Sequence, residues 1–275
     1  MSGPVSDHYN RPDLLTRIEK ALGEMELCPE TVTLDALAPV EEFHVGGRMA
    51  TDLLLPELEI REEEHALDVG CGTGGTSRHA AHRYGCHVDG IDLTGNFIET
   101  GKAITSWVKL GSLVQLHHES ALDMPFKDEL FDVAWMFHVG MNIETKRELF
   151  AEVFRVLKPG GRFLVYDIMR GEDETTPLTF PVPWAGDPST SFVRSADRYE
   201  EHLEAAGFAI SKTEARHDIA SRFFEHLDRQ AGQPSSPMSL AMVMGETAKE
   251  KSANLRANYE AGRIVPTAIL CRKPA

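Results

Sequence analysis

Cysteine is scarce in this 275-residue chain, and the four cysteines that occur are scattered. Cys28, Cys71, Cys86 and Cys271 form no C-x-x-C pair, so neither a disulfide framework nor a metal site is predicted. No apolar run approaches the roughly 20 residues that cross a bilayer. The first residues also lack the basic-then-apolar order of a signal peptide. We therefore expect a cytoplasmic protein with no metal and no membrane partner.

Basic residues are also few: 28 lysines and arginines stand against 43 aspartates and glutamates, a formal charge of −15. A surface of this charge repels polyphosphate, which argues against nucleic acid as the main substrate and leaves only a local basic groove as an exception. The chain is long enough to bury a full core without disulfides or metal. The composition thus predicts a folded domain whose ligand is not a nucleic acid.

Short apolar runs alternate with stretches of helical period. The runs are HALDVG, HVDGIDL, LVQLHH, FDVAWMF and RFLVYDI. Before the last run, ETKRELFAEVFRVLKPGG has helical spacing of its apolar residues, and Gly160 and Gly161 are expected to end that helix. Repeated strand–helix order predicts an α/β fold with a mostly parallel sheet between helices, and a ligand at the carboxyl ends of the strands.

Two regions lie outside this alternation. Residues 1–60 are expected to form an N-terminal helical cap, followed by one domain over residues 61–275. Within that domain, a helical insertion at about 220–264 precedes a final strand, PTAILCRK, and is expected to form a lid. The proline-rich loop GEDETTPLTFPVPWAGDPST contains Phe180 and Trp184, which either cover a pocket or only pin the loop.

The segment LDVGCGTGGTS, residues 67–77, follows the first apolar run. Its glycines let the backbone turn sharply and approach a ligand, and the helix that follows has free N–H groups at its start. A dinucleotide pyrophosphate would suit these donors, but Asp68 stands two residues before Gly70, where a carboxylate repels phosphate and attracts ammonium. Asp92 comes twenty residues after Gly72, where a carboxylate can accept both hydroxyls of a ribose. Together these features predict S-adenosyl-L-methionine as the ligand.

Four segments resemble, in order and at their usual spacing, the successive motifs of the class I S-adenosylmethionine-dependent methyltransferases. They are LDVGCGTGGTS, VDGIDLT, ALDMPFKDELFDVAW and RVLKPGGRFLVYD. The resemblance implies an enzyme with a Rossmann-like seven-stranded sheet of order 3-2-1-4-5-7-6, whose last strand is antiparallel. It also makes an NAD-type turn a poor explanation of the glycine-rich segment.

The same resemblance implies a donor-binding site. Its residues are Asp68, Gly70, Gly72, Gly74, Asp92, Leu93, Ser120, Ala121 and Phe137. Asp68 and the glycines would hold the methionine part, Asp92 the ribose and Leu93 the adenine face. The family usually has an aspartate where Ser120 stands, so Asp123 is either a substitute for it or an exposed loop carboxylate.

The methyl acceptor is less constrained. The segment WMFHVGMNI lacks the Asn/Asp-Pro-Pro-aromatic motif for amide and base nitrogens, and has no cysteine for attack on cytosine. FHVGG and YEAGRIVPTAILCRK resemble the small-molecule branch, which includes the sarcosine and dimethylglycine N-methyltransferases and the quinone and sterol C-methyltransferases. We expect a small-molecule acceptor, first of all an amino-acid-like amine methylated at nitrogen. C- or O-methylation of a quinone, sterol or phenol is the alternative, and a binding module that retains the fold is the non-enzyme alternative.

Several side chains are candidates for the acceptor side. His138 directly follows the fourth apolar run and either orients or deprotonates the acceptor, or is structural. Relatives often carry a histidine where Asn142 stands. Arg170 follows the fifth run and is either a clamp for a substrate carboxylate or a solvated loop residue. The substrate candidates are Tyr9, His44, Asn142, Arg170 and Trp184.

Overall fold

A computed structural model describes residues 3–230, 232 and 236–275; the predicted cap and lid therefore include positions outside the described residues. The strands are β1 (His65–Val69), β2 (His87–Asp92), β3 (Val114–His118), β4 (Phe131–Phe137), β5 (Leu157–Arg170), β6 (Ala209–Ala215) and β7 (Ile264–Arg272). The helices are α1 (Pro4–Tyr9), α2 (Leu14–Glu24), α3 (Leu34–Glu41), α4 (Arg48–Leu54), α5 (Gly75–Tyr84), α6 (Gly95–Trp107), α7 (Lys146–Val156), α8 (Ala196–Ala206), α9 (His217–Gln230), α10 (Ala241–Met244) and α11 (Ala248–Glu260). Among the described helices, none has the length and apolar character to span a membrane.

The strands form one seven-stranded sheet of order β3-β2-β1-β4-β5-β7-β6. Strands β1 to β5 run parallel to one another, while β7 runs antiparallel to both β5 and β6. The predicted order and the antiparallel last strand are confirmed. Because β1 lies between β2 and β4, the segments that follow these three strands emerge at one edge of the sheet.

Both faces of the sheet are buried, since successive side chains of a strand point to opposite sides. One face carries Ala66, Val133, Trp135, Leu164 and Tyr166. The other carries Leu67, Val69, Ala134, Met136 and Val165. A third apolar cluster joins α2 and α3 to α6 and α10, so the helices before β1 pack against the insertion before β7.

One helix boundary differs from the sequence prediction. The expectation that Gly160 and Gly161 end the helix is wrong, because α7 ends at Val156 and Leu157 is already extended, with ψ of 141°. Pro159 disfavours a helical conformation at the residue before it, which explains the earlier end. The two glycines instead lie in the irregular start of β5, where its pairing with β4 shifts register.

The loop after β4 is held by two buried charged side chains. Asp167 on β5 accepts hydrogen bonds from the Met141 N–H at 3.0 Å and from the Tyr199 hydroxyl at 2.8 Å. Lys146 at the start of α7 donates three hydrogen bonds. Its acceptors are the carbonyl oxygens of Gly140, Ile143 and Phe192, at 2.9, 2.9 and 2.7 Å. The backbone from 140 to 143 is therefore fixed although it is a short irregular turn.

Gly140 provides a test of this packing. A Cβ at position 140 would lie 2.6 Å from Asp167 Oδ2 and 2.9 Å from the Tyr199 hydroxyl. We predict that Gly140→Ala lowers the free energy of unfolding by about 1–3 kcal/mol, because the added methyl overpacks a buried polar cluster. Urea denaturation measures the change. Gly111→Ala is the control, since a Cβ there meets nothing within 4 Å, and an equal loss in both variants would contradict the prediction.

Candidate active site

The glycine-rich turn between β1 and α5 depends on three glycines with positive φ. Gly70, Gly72 and Gly74 have φ of 74°, 56° and 83°. A Cβ on Gly70 would overlap the side chain of Val139, and one on Gly74 would lie 2.9 Å from Leu116 Cδ1. A Cβ on Gly72 would meet nothing within 4 Å. Gly70 and Gly74 therefore serve the packing of the turn, whereas Gly72 borders open space in which a ligand can lie.

Asp92 links this turn to the end of β2. Its carboxylate accepts the Gly72 N–H at 2.9 Å and the Thr94 N–H at 2.8 Å. Burial raises the pKa of the Asp92 carboxyl, and the two N–H groups oppose that rise by stabilising the charged form. Two carboxylate oxygens offer about four lone-pair directions, so acceptor capacity remains beyond these two hydrogen bonds.

The residues expected around adenine lie at neighbouring strand ends. The Leu93 side chain is 38% exposed, an unusual position for a large apolar group, while its carbonyl oxygen lies 3.0 Å from His118 Nε2 at the end of β3. Ser120 and Ala121 follow β3 and are half-buried. Asp123 is exposed and pairs with Ser120 only through the backbone. The adenine contacts of Ser120 and Asp123 stay predictions.

Asp68 is buried beneath the turn. Its side chain on β1 accepts the Ser77 hydroxyl at 2.6 Å, and the residue is 2% exposed. Burial raises the pKa of the Asp68 carboxyl to about 7; the hydrogen bond from Ser77 opposes this and the nearby Asp92 adds to it. A cation that approached this carboxyl would favour its ionised form.

Beside the turn lies a small apolar cavity with a volume of about 40 Å³, partly open to solvent. Its wall comes from the N-terminal segment, the loop after β4, the loop before α8 and the insertion. Tyr9, His44, His138 and Trp184 line it, together with Met and aliphatic side chains. Among the described lining residues, none is Asp, Glu, Lys or Arg. The cavity therefore suits an uncharged, largely apolar molecule.

His138 stands where β4 ends and the cavity begins. Its φ is 57°, and its backbone N–H donates to the Tyr166 carbonyl at 2.7 Å. Ring Nε2 is buried without a hydrogen-bond partner among the described residues. Burial, with a smaller contribution from His44, holds the pKa of His138 well below its ordinary value. The imidazole is therefore neutral, with a nitrogen free to hydrogen-bond a ligand.

Phe137, the residue before His138, packs its ring edge-on against His44, with ring centroids 5.3 Å apart.

Asn142 joins three segments behind the cavity. Its Oδ1 accepts the Tyr9 hydroxyl at 2.8 Å, and its Nδ2 donates to the carbonyl oxygens of Trp184 and Thr190, both at 2.9 Å. The buried Trp184 ring is held by a hydrogen bond from Nε1 to Ser191 Oγ at 2.9 Å. Tyr9 and Trp184 therefore reach the cavity, while the Asn142 amide holds them in place.

Arg170 is not brought into this group. Its guanidinium donates to the Glu174 carbonyl and, at 2.8 Å, to the Thr176 carbonyl, bracing the loop that follows β5. It is not among the residues that line the cavity. Sequence reasoning missed Phe223 and Leu255, which the insertion contributes to the wall. Helical spacing in the insertion leaves Met244 open as either a lid residue or core packing, and Met244 lines the cavity.

Sheet order, glycine-rich turn and a carboxylate at the end of β2 define an α/β protein of the class I methyltransferase type. Residues 67–165 match the family model described as a methyltransferase domain. Over these residues the resemblance to methyltransferases that the motifs predicted is confirmed.

Three relatives show how far the similarity extends. The chain is 31% identical over 134 residues to the glycine/sarcosine/dimethylglycine N-methyltransferase of Actinopolyspora halophila, covering 49% of this chain and 24% of that protein. It is 27% identical over 227 residues to the O-methyltransferase cnsE of Penicillium expansum, and the match covers 82% of this chain and 78% of that protein. The solved structure of the cyclase SpnF superposes with a TM-score of 0.67 at 22% identity, covering 100% of this chain and 99% of that one. The match spans 54%, 31% and 34% of the lengths of three curated relatives, so it covers about half of each of them or less. Their shared domain does not by itself identify the acceptor.

Asp68 makes stability depend on pH in a predictable direction. Its folded-state pKa of about 7 exceeds the 3.8 of an ordinary aspartate, so its stabilising contribution is complete below about pH 4 and is lost as the pH rises through 7. We predict that Asp68→Asn flattens the fall in the free energy of unfolding between pH 4 and pH 7. Urea denaturation across this range measures it. The exposed Asp123→Asn is the control, and an unchanged slope in Asp68→Asn would contradict the prediction.

Proposed function

We propose that the protein transfers a methyl group from S-adenosylmethionine to an oxygen or carbon atom of a largely apolar small molecule. The observation that carries this proposal is the cavity beside the glycine-rich turn, whose described lining has aromatic, methionine and aliphatic side chains and two histidines but no permanently charged group. The O-methyltransferase relative, which matches 82% of the chain, supports it. Scattered, unpaired cysteines support a cytoplasmic setting.

The side chains around the glycine-rich turn are placed so that each could contact a different part of S-adenosylmethionine. Asp68 would face the ammonium group, Asp92 would accept the ribose hydroxyls, and the exposed Leu93 would cover one adenine face. The open space at Gly72 leaves room for the ligand. The donor supplies a methyl group already activated by a positively charged sulfur.

The acceptor side favours a neutral molecule. A carboxylate or ammonium in this cavity would lose water without meeting an opposite charge, which costs several kcal/mol. Arg170, a candidate clamp for a substrate carboxylate, is engaged with carbonyl oxygens of its own loop. The amino-acid-like amine that the sequence first suggested is therefore the competing acceptor, supported mainly by the resemblance to the sarcosine and dimethylglycine enzymes.

Methyl transfer needs the acceptor atom in line with the reacting bond and shielded from water, and no covalent enzyme intermediate. The neutral His138 ring borders the cavity and would orient an acceptor hydroxyl. The insertion, which provides Phe223 and Met244 to the wall, would act as a lid that excludes water. These roles use the described geometry without requiring a charged clamp.

A donor-consumption screen tests the function directly. Purified protein would be incubated with S-adenosylmethionine and two acceptor pools: phenols, quinols and hydroxylated terpenoids in one, and glycine, sarcosine and dimethylglycine in the other. We expect S-adenosylhomocysteine to form with the first pool. Turnover with the amine pool alone would leave the enzyme class intact and reject the acceptor proposal, whereas no donor binding would reject the function altogether.

Asp92→Ala should weaken S-adenosylhomocysteine binding by about 1–3 kcal/mol, because the ribose hydroxyls lose a charged acceptor. Isothermal titration calorimetry measures the affinity. Asp89→Asn is the matched control, since Asp89 lies on the same strand but is engaged by His65 and His117. Equal affinity in wild type and Asp92→Ala would speak against this donor site.

Phe223→Ala should raise the KM for an apolar acceptor about tenfold, equivalent to ~1.4 kcal/mol of lost apolar contact, and leave donor affinity unchanged. Leu227→Ala provides the control, because Leu227 lies one turn further along α9 and packs against the core, away from the cavity lining. Initial-rate kinetics separate KM from kcat. A purely kcat effect, or the same KM in both variants, would contradict the assigned acceptor cavity.

A further inference from the structure

His44 lies in the turn between α3 and α4, with its side chain 4% exposed and forming part of the cavity wall. Its ring Nε2 lies 3.0 Å from the Gly47 carbonyl oxygen and 3.2 Å from Thr51 Oγ1. The Thr51 hydroxyl has one hydrogen, and it donates that hydrogen to the Glu42 carboxylate. Both neighbours of Nε2 therefore act as acceptors towards the ring.

This arrangement fixes the tautomer of His44. A ring nitrogen that faces two acceptors must carry the hydrogen, so Nε2 is the N–H donor. In the neutral imidazole, Nδ1 then holds the lone pair. None of the hydrogen bonds of the described residues involves Nδ1 of His44. The ring thus presents a basic nitrogen whose orientation is set from its opposite side.

Burial lowers the pKa of His44; the buried Glu42 carboxylate opposes this by favouring the charged ring, and Arg48 adds to the lowering. Glu42 Oε2 lies 3.7 Å from His44 Nε2, and the Glu42 side chain is fully buried. Glu42 also accepts hydrogen bonds from Arg48 and Thr51, which hold the carboxylate in place. A carboxylate near the far nitrogen of an imidazole favours the charge that the ring gains as a general base, as the carboxylate of a Ser-His-Asp triad does at shorter range.

His138 has no such support. Its Nε2 has no partner among the described residues. The two imidazole rings pack edge-on with centroids 5.9 Å apart, so a charge on one disfavours a charge on the other. Of the two histidines in the cavity wall, only His44 has a described carboxylate beside its ring.

We propose that His44 Nδ1 is the general base for a hydroxyl acceptor, and that Glu42 is its positioning residue. The proposal rests on the proposed function. The O–H bond of the acceptor breaks, its proton moves to the Nδ1 lone pair, and the electron pair stays on the oxygen. That oxygen uses its electron pair to form the bond to the methyl carbon. The bond between sulfur and the methyl carbon breaks, and its electron pair stays on sulfur. The proton on His44 is lost to water afterwards. His138 stays neutral and orients the acceptor.

The tautomer is tested without any turnover. Protein containing 15N-labelled histidine and saturated with S-adenosylhomocysteine would be examined by long-range 1H–15N NMR, with His44→Gln assigning the signals. We expect His44 as the Nε2–H tautomer, with Nδ1 as the titrating nitrogen. The charged and titratable groups facing it are Glu42, Arg48 and His138, with Tyr166 packed nearby. Glu42→Gln should shift the titration of His44 to lower pH, because the ring loses its stabilising charge. An Nδ1–H tautomer would overturn the proposal.

Kinetics then separate base catalysis from positioning. With 4-methylphenol, whose hydroxyl is protonated at neutral pH, His44→Gln should lower kcat about 10²-fold. With 4-nitrophenol at pH 8, where the hydroxyl is already ionised, the same variant should stay within about threefold of wild type, because no proton remains to be removed. His138→Gln should slow both acceptors alike. The remote Asp89→Asn should change neither.

The outcomes are distinguishable. Equal losses for both phenols in His44→Gln, or no loss for 4-methylphenol, would overturn the base assignment while leaving methyl transfer established. Failure of wild type to bind S-adenosylhomocysteine would instead reject the proposed function. If wild type binds the product but methylates neither phenol, the NMR tautomer and its response to Glu42→Gln decide the proposal.

Discussion

The rest of the site depends on the burial of β1 between two parallel neighbours. Val69 pairs with Ile91 of β2 and with Met136 of β4, so three strands end at the same level. The loops that follow β1, β2 and β4 must therefore share one small region at the edge of the sheet. Gly70 shows how crowded this region is, because Val139, from the loop after β4, occupies the space that a Cβ at position 70 would need. The glycine-rich turn and the loop containing His138 are therefore packed as one unit.

Charge is divided sharply across this edge. On the proposed donor side, burial raises the pKa values of the Asp68 and Asp92 carboxyls, and a positively charged ligand would stabilise their ionised forms. On the acceptor side, the described lining has no permanent charge. A cationic donor beside a neutral acceptor matches this division, whereas two cations would be poorly matched.

The strands and the glycine-rich turn could be predicted because their signals are local: the apolar runs indicate the strands, and the glycines of residues 67–77 indicate the turn. The strand order followed from the resemblance that the four motifs carry. The acceptor side could not, because its wall is assembled from segments far apart in sequence. Helical spacing does not distinguish Met242, which packs in the third apolar cluster, from Met244, which lines the cavity. The bonds of Arg170 depend on how an irregular loop folds back.

Asn142 shows why proton transfer belongs elsewhere in the wall. Members of the family often carry a histidine at this position, but an amide has no basic nitrogen. Its oxygen accepts from Tyr9 and its nitrogen donates to two backbone carbonyls, so it joins α1 and its own turn to the loop before α8. An amide suits that linking role better than an imidazole, because it donates two hydrogens while accepting one. A base, where the acceptor needs one, must then come from the two imidazoles in the wall, and only His44 has a described carboxylate to stabilise the charge it would gain.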